Sequence, residues 1–481
     1  MRLLRLLPAV PALAAALAVP SRAIRAQAPA ATYQPTRASL ATHPLPAWFD
    51  DGKLGIFIHW GLYSVPGWAT TEHPSLPEVM AKNLWPQWFR SNAYAEWYEN
   101  SLKVPGSATQ AYHAKTWGTR SYADFKPMFD SATARWKPDE WAALFKRVGA
   151  RYVVLTTKHH DGYTLWPSRV PNPKRADWQS RRDLVGELTR AVRAQGMEMG
   201  LYYSGGLDWT FNPAAITDFP TLISNIPQDS AYAAYAEAQW RELIDRYQPA
   251  VLWNDIGFPG RADAKRLFAD YYNRFPNGVI NNRFNMLQPE HFDFTTPEYA
   301  VVDTISRQKW EATRGIGASF GFNRAEDAAQ FLSVNDLVDS FVDIVSKNGN
   351  LLLNVGPEAD GTIPRGQLER LEGLGAWLRT NGEAIHGTRP FSRAEAKVGD
   401  ARVRFTTKAG TLYAVLLDRP ATGTITLDSV TTASAVRVRL LGARGTLPAT
   451  VNNGAVTITL PATLADAPAW TLAIAPAGSG R

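Results

Sequence analysis

The stretch PDEWAALFKRVGARYVVLTTKHHDG, residues 138–162, decides the fold. Its first half has helical spacing and ends near a glycine, Gly149. Its second half, RYVVLTTKHH, is a short apolar run of the kind buried on both faces of a parallel sheet. The same two textures recur on either side. LGIFIHW (54–60), MEMGLYYS (197–204), AVLWND (250–255) and GVINNRF (278–284) read as strands, and RDLVGELTRAVRAQG (182–196) reads as a helix. Strand–helix alternation from 46 to 385 predicts a parallel sheet closed into a (β/α)8-like barrel. The rival, an open doubly wound sheet, lacks a glycine-rich phosphate turn after its first strand.

Beyond 390 the texture changes to RVRFTTKAGTLYAVLLD, GTITLDSV and AWTLAIAP, which are short, alternating and β-branched. Residues 386–481 are therefore expected to form a C-terminal antiparallel β-sandwich. At the other end, Arg2 and Arg5 precede the apolar run AVPALAAALAV, and RAQA offers a small-residue cleavage site. Residues 1–28 read as a secretory signal cut near Ala28, with Ala23 as the alternative. Residues 29–45, rich in Ala, Pro and Thr, read as an exposed lead-in. The expected product is exported, to the periplasm or the medium, and is not membrane-bound once the signal is removed. The leader holds four arginines and no acid, so its loss takes the formal charge from +7 to +3. That removes the argument for a nucleic-acid partner. The chain has no cysteine, which excludes disulfides, thiolate metal sites and cysteine nucleophiles.

The strand ends carry the chemistry. FIHWG ends in His59 and Trp60, TTKHHDG in His159, His160 and Asp161, LYYSGGLDW in Tyr202 and Tyr203, and LWND in Trp253 and Asp255. Barrel enzymes place catalytic residues at the C-terminal ends of their strands, where one pocket forms. Adjacent His159 and His160 point to opposite faces unless the strand is ending there. A zinc site would need a His pair at ligand spacing with a matching carboxylate, and none is present, so no metal and no cofactor is expected. Neutral His and Tyr suit hydrogen bonding to sugar hydroxyls, and Trp faces suit the apolar side of a sugar ring.

The motifs WFDDGKLGIFIHWGLYSVPGWA, AEWY, YVVLTTKHHDGYTLWPS, YYSGGLDW, LWNDIGFP, TTPEY, KWEATRGIGASFGFNRAED and DIVSKNGNLLLNVGPEADGTIP resemble, in order, those of the α-L-fucosidases of glycoside hydrolase family 29. The resemblance covers nearly all of 46–385 and much of the sandwich. It implies removal of terminal α-L-fucose from fucosylated oligosaccharides or glycoconjugates, with retention, through a covalent intermediate and without a metal. It assigns Asp255 as the nucleophile. His59, Glu96, Trp97, His159, His160, Tyr202, Trp253 and Arg283 match positions lining the fucose pocket. Phe57 and Trp310 are candidates for an apolar wall facing the sugar's methyl group. Two glutamates compete for the acid/base role: Glu298 in TTPEY, which is favoured, and Glu311 in KWEATRG. Two other functions stay open: a fucose-binding protein without catalysis, and an exo-glycosidase acting on α-L-galactosides. Linkage preference and oligomeric state, a homo-oligomer included, are not written in the sequence.

Overall fold

The computed structural model describes residues 32–477 apart from 286–287, 301, 421–422 and 432. The expected leader, 1–28, lies outside the described residues. Seven strands, β1 (Leu54–Ile58), β2 (Tyr152–Lys158), β3 (Glu198–Ser204), β4 (Val251–Asp255), β5 (Val279–Ile280), β6 (Trp310–Gly315) and β7 (Gly349–Val355), form one parallel sheet in the order β5-β4-β3-β2-β1-β7-β6. Its two edges meet through residues 293–299. Asp293 N donates to Ile280 O (2.8 Å), Thr295 N to Lys309 O (3.1 Å), Glu311 N to Thr295 O (2.8 Å) and Tyr299 N to Thr313 O (3.1 Å). This irregular segment is the eighth stave. Pro297 has no N–H to give a ladder, so pairing there is a set of isolated parallel bridges.

The helix Pro138–Arg147 shows why the alternation folds this way. Proline opens it, Asp139 and Glu140 lie in its first turn, and Lys146 and Arg147 close it, all matching the helix dipole. Gly149, at φ +93°, lets the chain reverse into β2. Trp141, Leu144 and Phe145 are buried against the barrel wall, each contributing about 1.5–3 kcal/mol. Inside the barrel, Phe57, Tyr152, Val154, Tyr202, Trp253, Phe294 and Leu352 form a separate core. Gly55 is part of this arrangement: a Cβ there would lie 2.4 Å from the Tyr152 ring.

The C-terminal region is two antiparallel sheets, one of five strands and one of three. Their facing side chains, Val403, Phe405, Leu412, Ile425, Leu427, Val456, Ile458 and Leu472 among them, make a single core, as a sandwich requires. This sandwich docks on the helix Val334–Ser346, where Arg404 Nε meets Asp343 Oδ1 (2.6 Å) and Arg402 Nη2 meets Asp339 Oδ2 (2.7 Å). The lead-in differs in part from the expectation of an exposed stretch. Tyr33, Leu40 and His43 are buried, because Tyr33 exchanges two hydrogen bonds with Asn273 (2.7 and 2.9 Å) and His43 Nδ1 bonds Asp293 (2.8 Å).

Candidate active site

Parallel strands put all their C-terminal ends on one rim, and the polar strand ends gather there. Register pairs Tyr202 with Trp253 and Ser204 with Asp255. Asp255 is 8 % exposed. Its Oδ2 accepts from Tyr202 OH (2.9 Å), and its Oδ1 from Arg283 Nη1 (2.9 Å) and Ile256 N (3.0 Å). Ile256 sits at φ +52°, a conformation costly for a β-branched residue, about 1–3 kcal/mol. That turn ends β4 abruptly and holds the carboxylate at the rim. The neighbouring Gly206 makes room for it: a Cβ there would fall 1.8 Å from Ile256 O.

Arg283 joins two acids. Its Nη2 reaches Glu298 Oε2 at 3.2 Å while Nη1 holds Asp255, and Nε is fixed by Thr296 Oγ1 (2.8 Å). Glu298 Oε1 accepts from Tyr94 OH (2.7 Å), and its side chain keeps 21 % exposure. Glu298 lies on the eighth stave, which is how a residue from TTPEY comes to face one from LWND.

The histidines are held neutral. Burial pulls the pKa of His59 down to about 4, that of His160 to about 3, and that of His159 well below its ordinary value. Their tautomers follow from their partners. Asn354 Nδ2 donates to Phe320 O (2.6 Å), so its Oδ1 faces His59, and His59 Nδ1 donates to it (2.7 Å). Ser204 Oγ donates to Leu207 O (2.7 Å), so His160 Nδ1 donates to Ser204 (2.6 Å). Each imidazole is left with a bare Nε2, an acceptor for a hydroxyl. His159 Nδ1 has no partner among the described residues, and its ring lies 5.8 Å from that of Tyr202 at 10°. Strand β2 stops at Lys158, so both adjacent histidines turn toward the rim, their rings 4.0 Å apart. Glu96 is buried, accepts from Gly321 N (2.7 Å), and is pushed up to about 8 by burial, so it is protonated at neutral pH. Trp97 packs edge-on against His160 (5.0 Å).

The other candidate acid is elsewhere. Glu311 is the second residue of β6, at the strand's N-terminal end, and is 0 % exposed. It accepts from Tyr152 OH and from Trp253 Nε1 (3.1 Å), so it supports Trp253 from below. Trp310 does not join the apolar wall expected of it. Alternation turns it out of the barrel, where Nε1 donates to Lys347 O (2.9 Å). Phe57 is inside, its ring 4.5 Å from that of His59. Three residues at the rim went unnamed in the sequence reading: Tyr94, Asn354 and Phe320, whose ring lies 5.0 Å from His59. Asn354 carries the signal the others had, a polar residue near the end of an apolar strand. Among the described residues, His and Asp atoms converge as a metal site would need at His43, His291 and Asp293. There both His43 nitrogens are already engaged, with Asp293 (2.8 Å) and Pro276 O (3.1 Å).

The proteins that match this chain share a name. Residues 21–383 match the family described as alpha-L-fucosidase, and residues 398–475 match the alpha-L-fucosidase C-terminal domain. The chain belongs to the α-L-fucosidase family. It is 34 % identical over 458 residues to the tissue alpha-L-fucosidase of Rattus norvegicus, covering 92 % of each. The structure of Thermotoga maritima alpha-fucosidase in complex with fucose superposes with a TM-score of 0.81 at 45 % identity, over 92 % of this chain and all of that one. A variant of the Thermotoga protein with Asp replaced by Gly, described as an α-L-fucosynthase in complex with a fucosyl-fucosyl azide, superposes at 0.83 and 45 % identity. This fucosidase is thus a glycoside hydrolase on a barrel-plus-sandwich scaffold. Among its described residues no helix is long and apolar enough to cross a membrane.

Proposed function

We propose that this fucosidase is exported and removes terminal α-L-fucose from oligosaccharides or glycoconjugates with retention of configuration. Asp255 is the nucleophile and Glu298 the acid/base. In the first step an Asp255 oxygen bonds to the anomeric carbon as the glycosidic C–O bond breaks, and the Glu298 proton passes to the leaving oxygen. In the second step Glu298 takes a proton from water, whose oxygen displaces Asp255 and frees fucose. The observation that carries this reading is the bridge through Arg283, which holds both carboxylates from one planar group. Tyr202 and Arg283 each occupy one oxygen of Asp255, so the carboxylate is aimed before substrate arrives. The bare Nε2 atoms of His59 and His160 accept sugar hydroxyls. Phe57 and Phe320 offer apolar surface for a 6-deoxy carbon. Support for the nucleophile also comes from the Thermotoga fucosynthase, in which one Asp-to-Gly change gives a protein described by its synthetic activity.

Glu311 suits the acid/base role less well, being enclosed among Tyr152, Trp253 and the barrel interior. The test is proton NMR of the first product formed from an aryl α-L-fucoside. Retention gives α-fucose first, with the β-anomer arising only by mutarotation. Initial β-fucose would overturn the two-step reading.

A further inference from the structure

Beside the rim lies a cavity of about 350 Å³, walled by the loop 73–77, Trp88, Tyr94, Tyr299, Arg314 and Leu332. That size falls within the range of small-molecule sites, about 300–1,000 Å³. Tyr94 lines this cavity and also donates to Glu298, and Tyr299 is the next residue along the chain. One side chain therefore separates the cavity from the proposed proton donor. A general acid protonates the glycosidic oxygen, so whatever lies beyond that oxygen must occupy the acid's side of the site.

The lining says what kind of group would fit. Leu332 and the Trp88 ring offer apolar surface, His73, Ser75 and Gln330 add polar atoms, and Arg314 brings the guanidinium. Its Nε donates to Gly315 O (3.3 Å), and its guanidinium lies 5.7 Å from the Tyr299 ring. Its two Nη atoms make no hydrogen bond or ion pair among the described residues. Arg314 also borders an adjoining cavity of about 360 Å³ between barrel and sandwich. The acids there are already matched: Asp339 by Arg402 (2.7 Å), and Asp343 by Arg404 (2.6 Å) and Lys347 (2.9 Å). Asp336, whose charge Arg314 also feels, takes the Ser333 hydroxyl of its own helix cap (2.7 Å). A half-buried guanidinium without an anion is costly, and it is suited to bidentate binding of a carboxylate or sulfate.

We propose that this cavity receives the leaving-group sugar and that Arg314 binds an anionic substituent on it, so that acidic fucosylated glycans are the preferred substrates. The proposal rests on Glu298 as the acid. Three substrates test it: a fucosylated uronic-acid disaccharide, its neutral methyl ester, and nitrophenyl α-L-fucoside. The parent enzyme should favour the uronate over the ester by about tenfold in kcat/KM. Arg314→Gln should abolish that preference through KM while leaving nitrophenyl fucoside within about twofold of the parent. Leu332→Trp, which fills the cavity, should slow both disaccharides and spare the nitrophenyl substrate. Equal use of uronate and ester by the parent would overturn the proposal. So would an Arg314→Gln variant that loses the nitrophenyl activity as much as the others. The acid assignment fails by a different result, a Glu298→Ala variant indifferent to leaving group, whereas the uronate-to-ester ratio reads the cavity alone.

Discussion

The two ends of the barrel each enclose carboxylates, and they treat them differently. At the N-terminal end Glu311 is sealed, has only the neutral donors Tyr152 and Trp253, and is pushed up to about 7 by burial. At the C-terminal rim Asp255 and Glu298 share a guanidinium, face a space, and are flanked by imidazoles held neutral. Burial alone makes a carboxyl a structural group. A cation, an opening and a fixed orientation make it suited to bond formation. The ends communicate through Trp253, which donates to Glu311 below and lies 4.8 Å from the Arg283 guanidinium.

Breaking the rim should have the largest effect. Asp255→Gly should lower turnover by about ten-thousand-fold with the fold intact, because the bond-forming atom is gone. Added azide should restore part of the activity and yield β-fucosyl azide, detected by mass spectrometry and NMR. Next in size is Glu298→Ala, expected to slow a fucosylated disaccharide by about 10²–10⁴-fold and nitrophenyl fucoside far less, since an activated phenol leaves without a proton. Comparing kcat/KM for the two substrates checks it. Tyr94→Phe removes the 2.7 Å hydrogen bond to Glu298 and should cost about tenfold on the disaccharide.

The smallest kinetic effect belongs to the other end. Glu311→Gln keeps an acceptor oxygen for Trp253 Nε1 and offers its amide NH2 to the Tyr152 hydroxyl, which can accept, so activity should change by less than about threefold. Its signature is in stability. The Glu311 pKa is raised from an ordinary 4.5 to about 7, so between these values the folded state binds the extra proton. Stability from this group is therefore lost as pH rises from 4.5 to 7 and is level above. The Tm of the parent, relative to that of Glu311→Gln, should fall across that window. A flat difference would mean that Glu311 is ionised within the fold.

Much of this was legible in the sequence, for a physical reason. Strands buried on both faces are nearly continuous apolar runs, so a His, Tyr or Asp at their ends stands out; this is how β1 to β4 and the rim residues were found. The eighth stave was not legible, because Pro297 removes a donor and FDFTTPEY lacks a strand's pattern. Nor was the facing of Trp310 and Glu311, since β6 reads WEATRG and buries its polar residue inside. Tyr94 meets Glu298 across 204 residues, a contact that spacing cannot show.

The most direct test of the central claim is covalent trapping. A 2-fluoro-fucosyl fluoride slows the second step and lets the first accumulate; peptide mass spectrometry then locates the sugar. The account predicts a label on Asp255, absent in Asp255→Gly. A label on Glu298, Glu311 or any other residue would contradict it.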